Sequence, residues 1–243
     1  MAVINKAIVA YFRDDDSVDE LILDRNELNL RTERSRKRMN RAIQEGFLDF
    51  KNKDHLSLIR CYFMREGNLP DTELILFWQY ALSNDLFRMI TTQVFVKAYF
   101  SGRAGLSKED VIGFLKELIN QNKNLDLGWS EKTISTIAAK YQTIMTKLNF
   151  LEGVRNKTFC HIQLSEESLI LFLYFASLHD PNTRNILKNS FFPLCFISKE
   201  DILVRLKDIA MKDYFEMSFD GAILNVDLTT SYQGICDALF NGS

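Results

Sequence analysis

The chain has 243 residues, 47% of them hydrophobic, with 10 Gly, 3 Pro and a formal net charge of −2. That length supports a substantial core and two small domains rather than one, and the scarcity of Gly and Pro points to a mainly helical fold with short connections. The near-zero charge excludes a uniformly basic nucleic-acid binder, so any such binding has to come from a local patch.

The first 30 residues are acidic, with Asp14, Asp15, Asp16, Asp19, Glu20, Asp24 and Glu27 outnumbering Lys6, Arg13 and Arg25. Three consecutive aspartates suggest a metal, but adjacent side chains do not converge on one centre. The reading adopted is a solvated turn before a helix starting near Ser17. The sign then reverses, with six basic residues and one acid between Arg31 and Arg41. On a helix, Arg34, Lys37, Arg38 and Arg41 follow i, i+3, i+4, i+7 spacing and share a face, opposite Met39, Ala42, Ile43, Phe47 and Phe50. Such a row of forked donors suits phosphate contact. A solvated face, or one neutralised by the acidic segment before it, is the alternative.

From Asp54 to Phe100 the chain is dense in apolar and aromatic residues, with a helix stop and restart at Gly67, Asn68 and Pro70. Apolar residues on several faces indicate helices buried in the middle of a bundle. The longest uncharged apolar runs, Leu74–Asn84 and Ser168–Leu178, fall short of the roughly 20 residues that span a bilayer, so no membrane association is expected.

Residues 106–164 then read as two helices and a hairpin, the plan of a winged helix. Ser107 with Asp110 opens the first helix, whose apolar positions are Val111, Phe114, Leu115 and Leu118. After a break over 122–128, Ser130 caps the second. Its apolar stripe is Ile134, Ile137, Ala138, Tyr141, Ile144, Met145 and Leu148, and its other side carries Lys132, Thr136, Lys140, Thr143 and Lys147. Phe150 to Arg155, a turn at Asn156-Lys157 and the run Thr158 to Leu164 suggest the wing. Between 128 and 160 five Lys/Arg stand against two acids. The second helix of such a unit is the usual reader of a DNA groove, although packing for stability with ordinary solubilising lysines would give the same pattern.

Ser165 to Ser177 forms an apolar helix, and Asp180-Pro181-Asn182 breaks the chain. A Ser198-capped helix then runs to Ala210, followed by a hairpin around Asp220-Gly221 and a short terminal helix around Tyr232 to Phe240. This looks like a second, degenerate helix-plus-hairpin unit, but four basic and eight acidic residues from 198 to 243 are wrong for DNA. Composition thus suggests three parts: 1–105, helical with the basic helix; 106–180, winged-helix-like; and 181–243, an acidic helix–hairpin–helix.

Cys61, Cys160, Cys195 and Cys236 lie far apart without a CxxC pair, which suits reduced thiols in a cytoplasmic protein better than a disulfide frame or zinc site. No phosphate loop, nucleophile elbow or metalloprotease motif is present. His55, His161 and His179 belong to no recognisable ligand set, and Cys160 and His161 would point to opposite faces of a strand. No cofactor, metal or catalytic residue is expected.

The Arg-rich helix after Asn29-Leu30, the aromatic middle helices, Gly128-Trp129-Ser130-x-x-Thr133 and Leu148-Asn149-Phe150-Leu151 before a hairpin resemble the BrxA family of bacterial bacteriophage-exclusion (BREX) systems. The resemblance covers roughly residues 15 to 180. It implies a helical N-terminal part similar to the NusB transcription-antitermination fold, with winged-helix elements and double-stranded DNA binding. It also implies a place beside a methyltransferase and an ATPase in phage defence. Arg34, Arg38 and Arg41 match the family's basic helix, and Trp129, Ser130 and Thr133 its helix-opening motif, with Trp129 and Thr133 structural.

The expectation is a mainly α, non-enzymatic DNA-binding accessory protein. Lys132, Thr136 and Lys140 would face the groove, and Arg34, Lys37, Arg38, Arg41, Arg155 and Lys157 would meet phosphates. The alternatives are a scaffold docking other BREX components and an RNA-binding bundle.

Overall fold

The computed structural model describes residues 2–13, 18–65, 71–121 and 128–240. The turn at Asp14, Asp15 and Asp16, the helix start at Ser17, the Gly67, Asn68 and Pro70 stop and the break over 122–127 lie outside the described residues. Within them are eleven α-helices and two separate two-stranded antiparallel sheets, a mainly α helical bundle as the composition implies. The chain forms two compact units, Met1–Ser83 with Leu164–Ser243, and Asn84–Gln163.

In the first unit, α1 (Ala2–Arg13), a π-helical turn at Glu20–Asp24 and α2 (Glu33–Phe47) gather Ala7, Val18, Leu21, Ile22 and Ile43 into one apolar cluster. Thr32 caps α2 by accepting from the Ser35 amide at 3.1 Å, which satisfies one of the free amides of its first turn. The inward face of α2 differs from the expected stripe: Ala42 is exposed and Asn40 is buried. The Asn40 amide donates to Asp19 at 2.7 Å and the Gln44 amide donates to the same carboxylate oxygen at 2.9 Å. The Asn40 amide N–H group thus finds an acceptor inside, while its Oδ1 is buried without a hydrogen-bond partner among the described residues.

The centre of this unit is α3 (Lys53–Phe63), α4 (Thr72–Ser83) and α9 (Glu166–His179), the last two buried on nearly every face. Trp78 is fully buried against Phe172 and Phe175, and its indole N–H donates to the Leu194 carbonyl at 2.9 Å. Asp71 accepts from the hydroxyls of Ser165 and Ser168, at 2.8 and 2.5 Å, and so joins the start of α4 to that of α9. After α9 come two 3-10 turns, then α10 (Lys199–Ala210), the hairpin β3 (Phe215–Phe219) and β4 (Leu224–Leu228), and α11 (Ile235–Phe240).

Two of the four cysteines depart from the reduced state expected of them. Cys61 of α3 and Cys236 of α11 form a disulfide, Cα–Cα 5.7 Å, across 175 residues of sequence. Cys160 and Cys195 are free. The pairing depends on two helices meeting in space, and no spacing rule could have announced it.

His55 is wholly inside this unit. The Lys51 amide donates to its Nδ1 at 3.1 Å, so its proton is on Nε2, which donates to Gln79 Oε1 at 2.5 Å, and Gln79 in turn donates to the Phe47 carbonyl at 3.0 Å. Burial of the neutral ring takes its pKa down from 6.5 to about 4. The unfolded chain binds the proton near 6.5 and the folded one only near 4. Stability is therefore full above that window and falls as pH drops through it, by about 3 kcal/mol in all. Urea unfolding from neutral pH down to pH 4 should show a steeper loss for the wild type than for His55→Asn. Equal slopes would contradict this account.

The second unit opens with α5 (Asp85–Ile90), a π-helical turn at Thr91–Phe95 and α6 (Val96–Phe100), which run on from one another. Gly105 then bridges Thr158 in antiparallel fashion, and α7 (Lys108–Gln121), α8 (Glu131–Lys147) and the hairpin β1 (Leu151–Glu152) and β2 (Thr158–Phe159) follow. A side chain at Gly105 would fall 1.9 Å from the Lys157 carbonyl oxygen, so only glycine permits this approach. Its core includes Phe87, Ile90, Phe95, Val111, Leu115, Ile134, Ala138, Met145 and Phe150.

Candidate nucleic-acid interface

The helix expected to carry the site is held from two sides. At its N-terminus, Ser130 accepts from the Thr133 amide at 3.3 Å, and the two hydroxyls lie 3.0 Å apart. Along its inner face, Ile134, Ala138, Tyr141 and Met145 are buried, the period-3.6 stripe read from the sequence. The Tyr141 hydroxyl donates to Thr91 at 3.1 Å, and Thr91 donates to the Phe87 carbonyl at 2.8 Å. Burial drives the Tyr141 pKa upward. This two-bond chain ties α8 to the π-helical turn, where a slip of register would leave two buried polar groups unsatisfied. The preceding α7 adds Lys108 on the Ser135 hydroxyl at 2.7 Å and Lys116 on Glu131 at 2.9 Å. At the start of α7, Ser107 and Asp110 form the reciprocal cap expected of them. Arg103, bonded twice to Asp110, holds that carboxyl below its ordinary range.

The outer face of α8 exposes Lys132, Thr136, Ala139, Lys140, Thr143 and Lys147, one stripe along four turns. The single carboxylate at this end of the helix, Glu131, is engaged by Lys116. Lys132, Lys140 and Lys147 meet no carboxylate among the described residues. Thr136 donates its hydroxyl proton to the Lys132 carbonyl at 2.7 Å, so its oxygen keeps only acceptor capacity toward a ligand.

The hairpin is shorter than the run of residues suggested. Its register pairs Leu151 with Phe159 and Glu152 with Thr158. Gly153, at φ 88, ends β1 where an added Cβ would strike the Asn156 carbonyl. Cys160 and His161 fall beyond β2 rather than on a strand. In the loop 153–157, Arg155 is exposed and meets no carboxylate among the described residues. Lys157 is half-buried and donates back to the Gly153 carbonyl at 2.5 Å. Val154, which the sequence reading passed over, is 93% exposed at the tip. Its signal was an apolar residue between Gly153 and a charged turn.

The basic helix of the other unit, α2, also presents its row to solvent, with Arg34, Lys37, Arg38 and Arg41 all exposed. Two of the four are answered from the same helix, Lys37 by Glu33 at 2.6 Å and Arg41 by Glu45 at 2.6 Å. Arg34 and Arg38 carry no ion pair among the described residues. Arg36 turns inward and donates to the Leu23 carbonyl at 2.7 Å. The positive surface of α2 is therefore half compensated, whereas that of α8 is not.

Among the described residues, no helix is long and apolar enough to cross a membrane, and no three His, Cys, Asp or Glu side chains gather as a metal site would require. No curated protein matches the chain. The BrxA family model matches residues 6–173, which is more than half of the sequence and spans both units up to the middle of α9. The chain belongs to the BrxA family, and so to the bacteriophage-exclusion (BREX) systems of anti-phage defence.

Proposed function

We propose that this protein is a non-enzymatic accessory component of its defence system that binds double-stranded DNA through α8 and the hairpin after it. The observation that carries the reading is the uncompensated stripe Lys132, Lys140 and Lys147, interleaved with Thr136 and Thr143, on a helix whose inner face is fixed by packing and buried hydrogen bonds. The order helix, single extended residue at Gly105, helix, helix, hairpin is that of a winged helix, in which the second helix of the pair enters the major groove. Arg155 at the hairpin turn suits an adjacent phosphate, while Lys157 spends one of its donors within the loop. Phosphate neutralisation supplies most of such an affinity, so binding is salt-sensitive and weakly dependent on sequence. The family context favours other BREX components as partners, and a cytoplasmic location goes with that context. Fluorescence anisotropy with a labelled duplex at low salt tests the reading. Saturable binding that duplex DNA competes away better than structured RNA is expected. Absence of duplex binding, or stronger competition by RNA, would overturn it.

A further inference from the structure

The C-terminal hairpin keeps one of its two edges open, and its surroundings are acidic. From residue 213 onward the sequence has five acids, Asp213, Glu216, Asp220, Asp227 and Asp237, and no Lys or Arg. The two basic residues that adjoin the hairpin are engaged, Lys212 by Glu166 at 2.5 Å and Arg184 by Asp227 at 3.4 Å. The ladder sets Glu216 directly opposite Asp227. Both are exposed, so two carboxylates share one face of the sheet, a pairing that costs stability. The Asp220 amide donates to the Ile223 carbonyl and the Thr229 amide to that of Tyr214, each at 3.3 Å. Backbone groups alternate along a strand, so those of Glu216 and Ser218 face β4, and those of Phe215, Met217 and Phe219 face outward. The outward groups of β4 are partly taken: the Val226 amide donates to the Arg184 carbonyl at 3.1 Å, and the Leu224 amide to Asn185 Oδ1 at 3.3 Å. On β3, the backbone groups of Met217 and Phe219 have no hydrogen-bond partner among the described residues. At the end of the hairpin, Phe219 is 41% and Ile223 38% exposed.

We propose that the β3 edge receives an extended basic segment of a partner protein. The segment adds as a third, antiparallel strand, with Lys or Arg opposite Glu216 and apolar residues opposite Met217 and Phe219. Main-chain bonds to Met217 and Phe219 supply affinity, and alternate side chains supply selectivity. The open ladder explains why the occupant is a strand, and the charge explains which strand. In this register the residue opposite Glu216 stands in a non-hydrogen-bonded pair, the closer of the two antiparallel spacings. A cation there meets Glu216 and offsets its repulsion from Asp227 on the far strand. An acidic segment, this chain's own β3 included, is turned away by the same carboxylates. On the other face, apolar residues of the incoming strand cover Met217 and Phe219. This surface is separate from α8, so the proposal does not rest on DNA binding.

Fluorescence anisotropy of the full chain with a labelled peptide, Thr-Val-Thr-Val-Arg-Val-Thr-Val, tests this. The peptide should bind roughly tenfold more tightly than its counterpart with Glu in place of Arg. Glu216→Arg should reverse that order. Glu216 is exposed and opposes Asp227, so the variant should melt at or above the wild-type temperature. Methylating the valine backbone nitrogens, which face β3 in the added strand, should abolish binding, whereas methylating the threonine nitrogens should preserve it. No binding of either peptide up to near-millimolar concentration would overturn the proposal. So would equal affinity for the two, an order that Glu216→Arg leaves unchanged, or indifference to which nitrogens are methylated.

Discussion

Reversing Lys132, Lys140 and Lys147 to glutamate should weaken duplex DNA binding roughly a hundredfold at moderate salt, at about 1 kcal/mol or more for each lost phosphate contact. The three positions are exposed and meet no carboxylate among the described residues, so the variant loses no internal ion pair there and should keep its thermal stability. The same reversal at Arg34 and Arg38 of α2 serves as the comparison. That helix already carries carboxylates against two of its four basic residues, so a smaller effect is expected. Anisotropy titrations of both variants on one duplex check the ranking. If the α2 variant loses more affinity than the α8 variant, α8 is not the principal contact.

Reducing the Cys61–Cys236 bond should lower the stability of the first unit by about 5 kcal/mol on the chain-entropy model, since it opens a long closed loop. The loop spans 175 residues and joins α3 to α11, a helix of six residues. A helix so short has little stability of its own and leans on that bond and on the stacking of Arg65 over Phe240, 3.9 Å from the ring centre. Thiol counting after unfolding without reductant should find two reactive cysteines, Cys160 and Cys195, and four after reduction. The melting temperature should fall with reductant. Four thiols without reductant, or an unchanged melting temperature, would remove the disulfide from the account.

Much of the local architecture was legible because it is encoded within a few residues. Ser107, Ser130, Ser165 and Ser198 each precede a helix and accept from an amide three residues on, and the apolar stripe of α8 follows from period alone. The Asp220-Gly221 hairpin was equally local: Gly221 sits at φ 101, and Asp220 accepts from the Ala222 and Ile223 amides. What depended on distant partners was not legible. The inward turn of Asn40 requires Asp19, the disulfide requires α3 and α11 to meet, and Trp78 finds its acceptor at Leu194. The hairpin after α8 is short because Gly153 ends β1, while Gly105 bridges Thr158, and hydrophobic pattern carries no trace of either. In the candidate site, the basic residues could be named from spacing. Their compensation was legible only in part: the Glu33–Lys37 and Arg41–Glu45 pairs on α2 stand at i, i+4 spacing, whereas the Lys116 grip on Glu131 depends on how α7 packs beside α8.

The most direct test of the central claim is the salt dependence of wild-type binding to one duplex. With Lys132, Lys140, Lys147 and Arg155 each meeting a phosphate, the logarithm of the affinity should fall against the logarithm of salt concentration with a slope of about −4. The slope should shrink by about one for each lysine replaced by alanine. A flat salt profile, or a slope unchanged by those replacements, would contradict the assignment of α8 as the DNA-binding element.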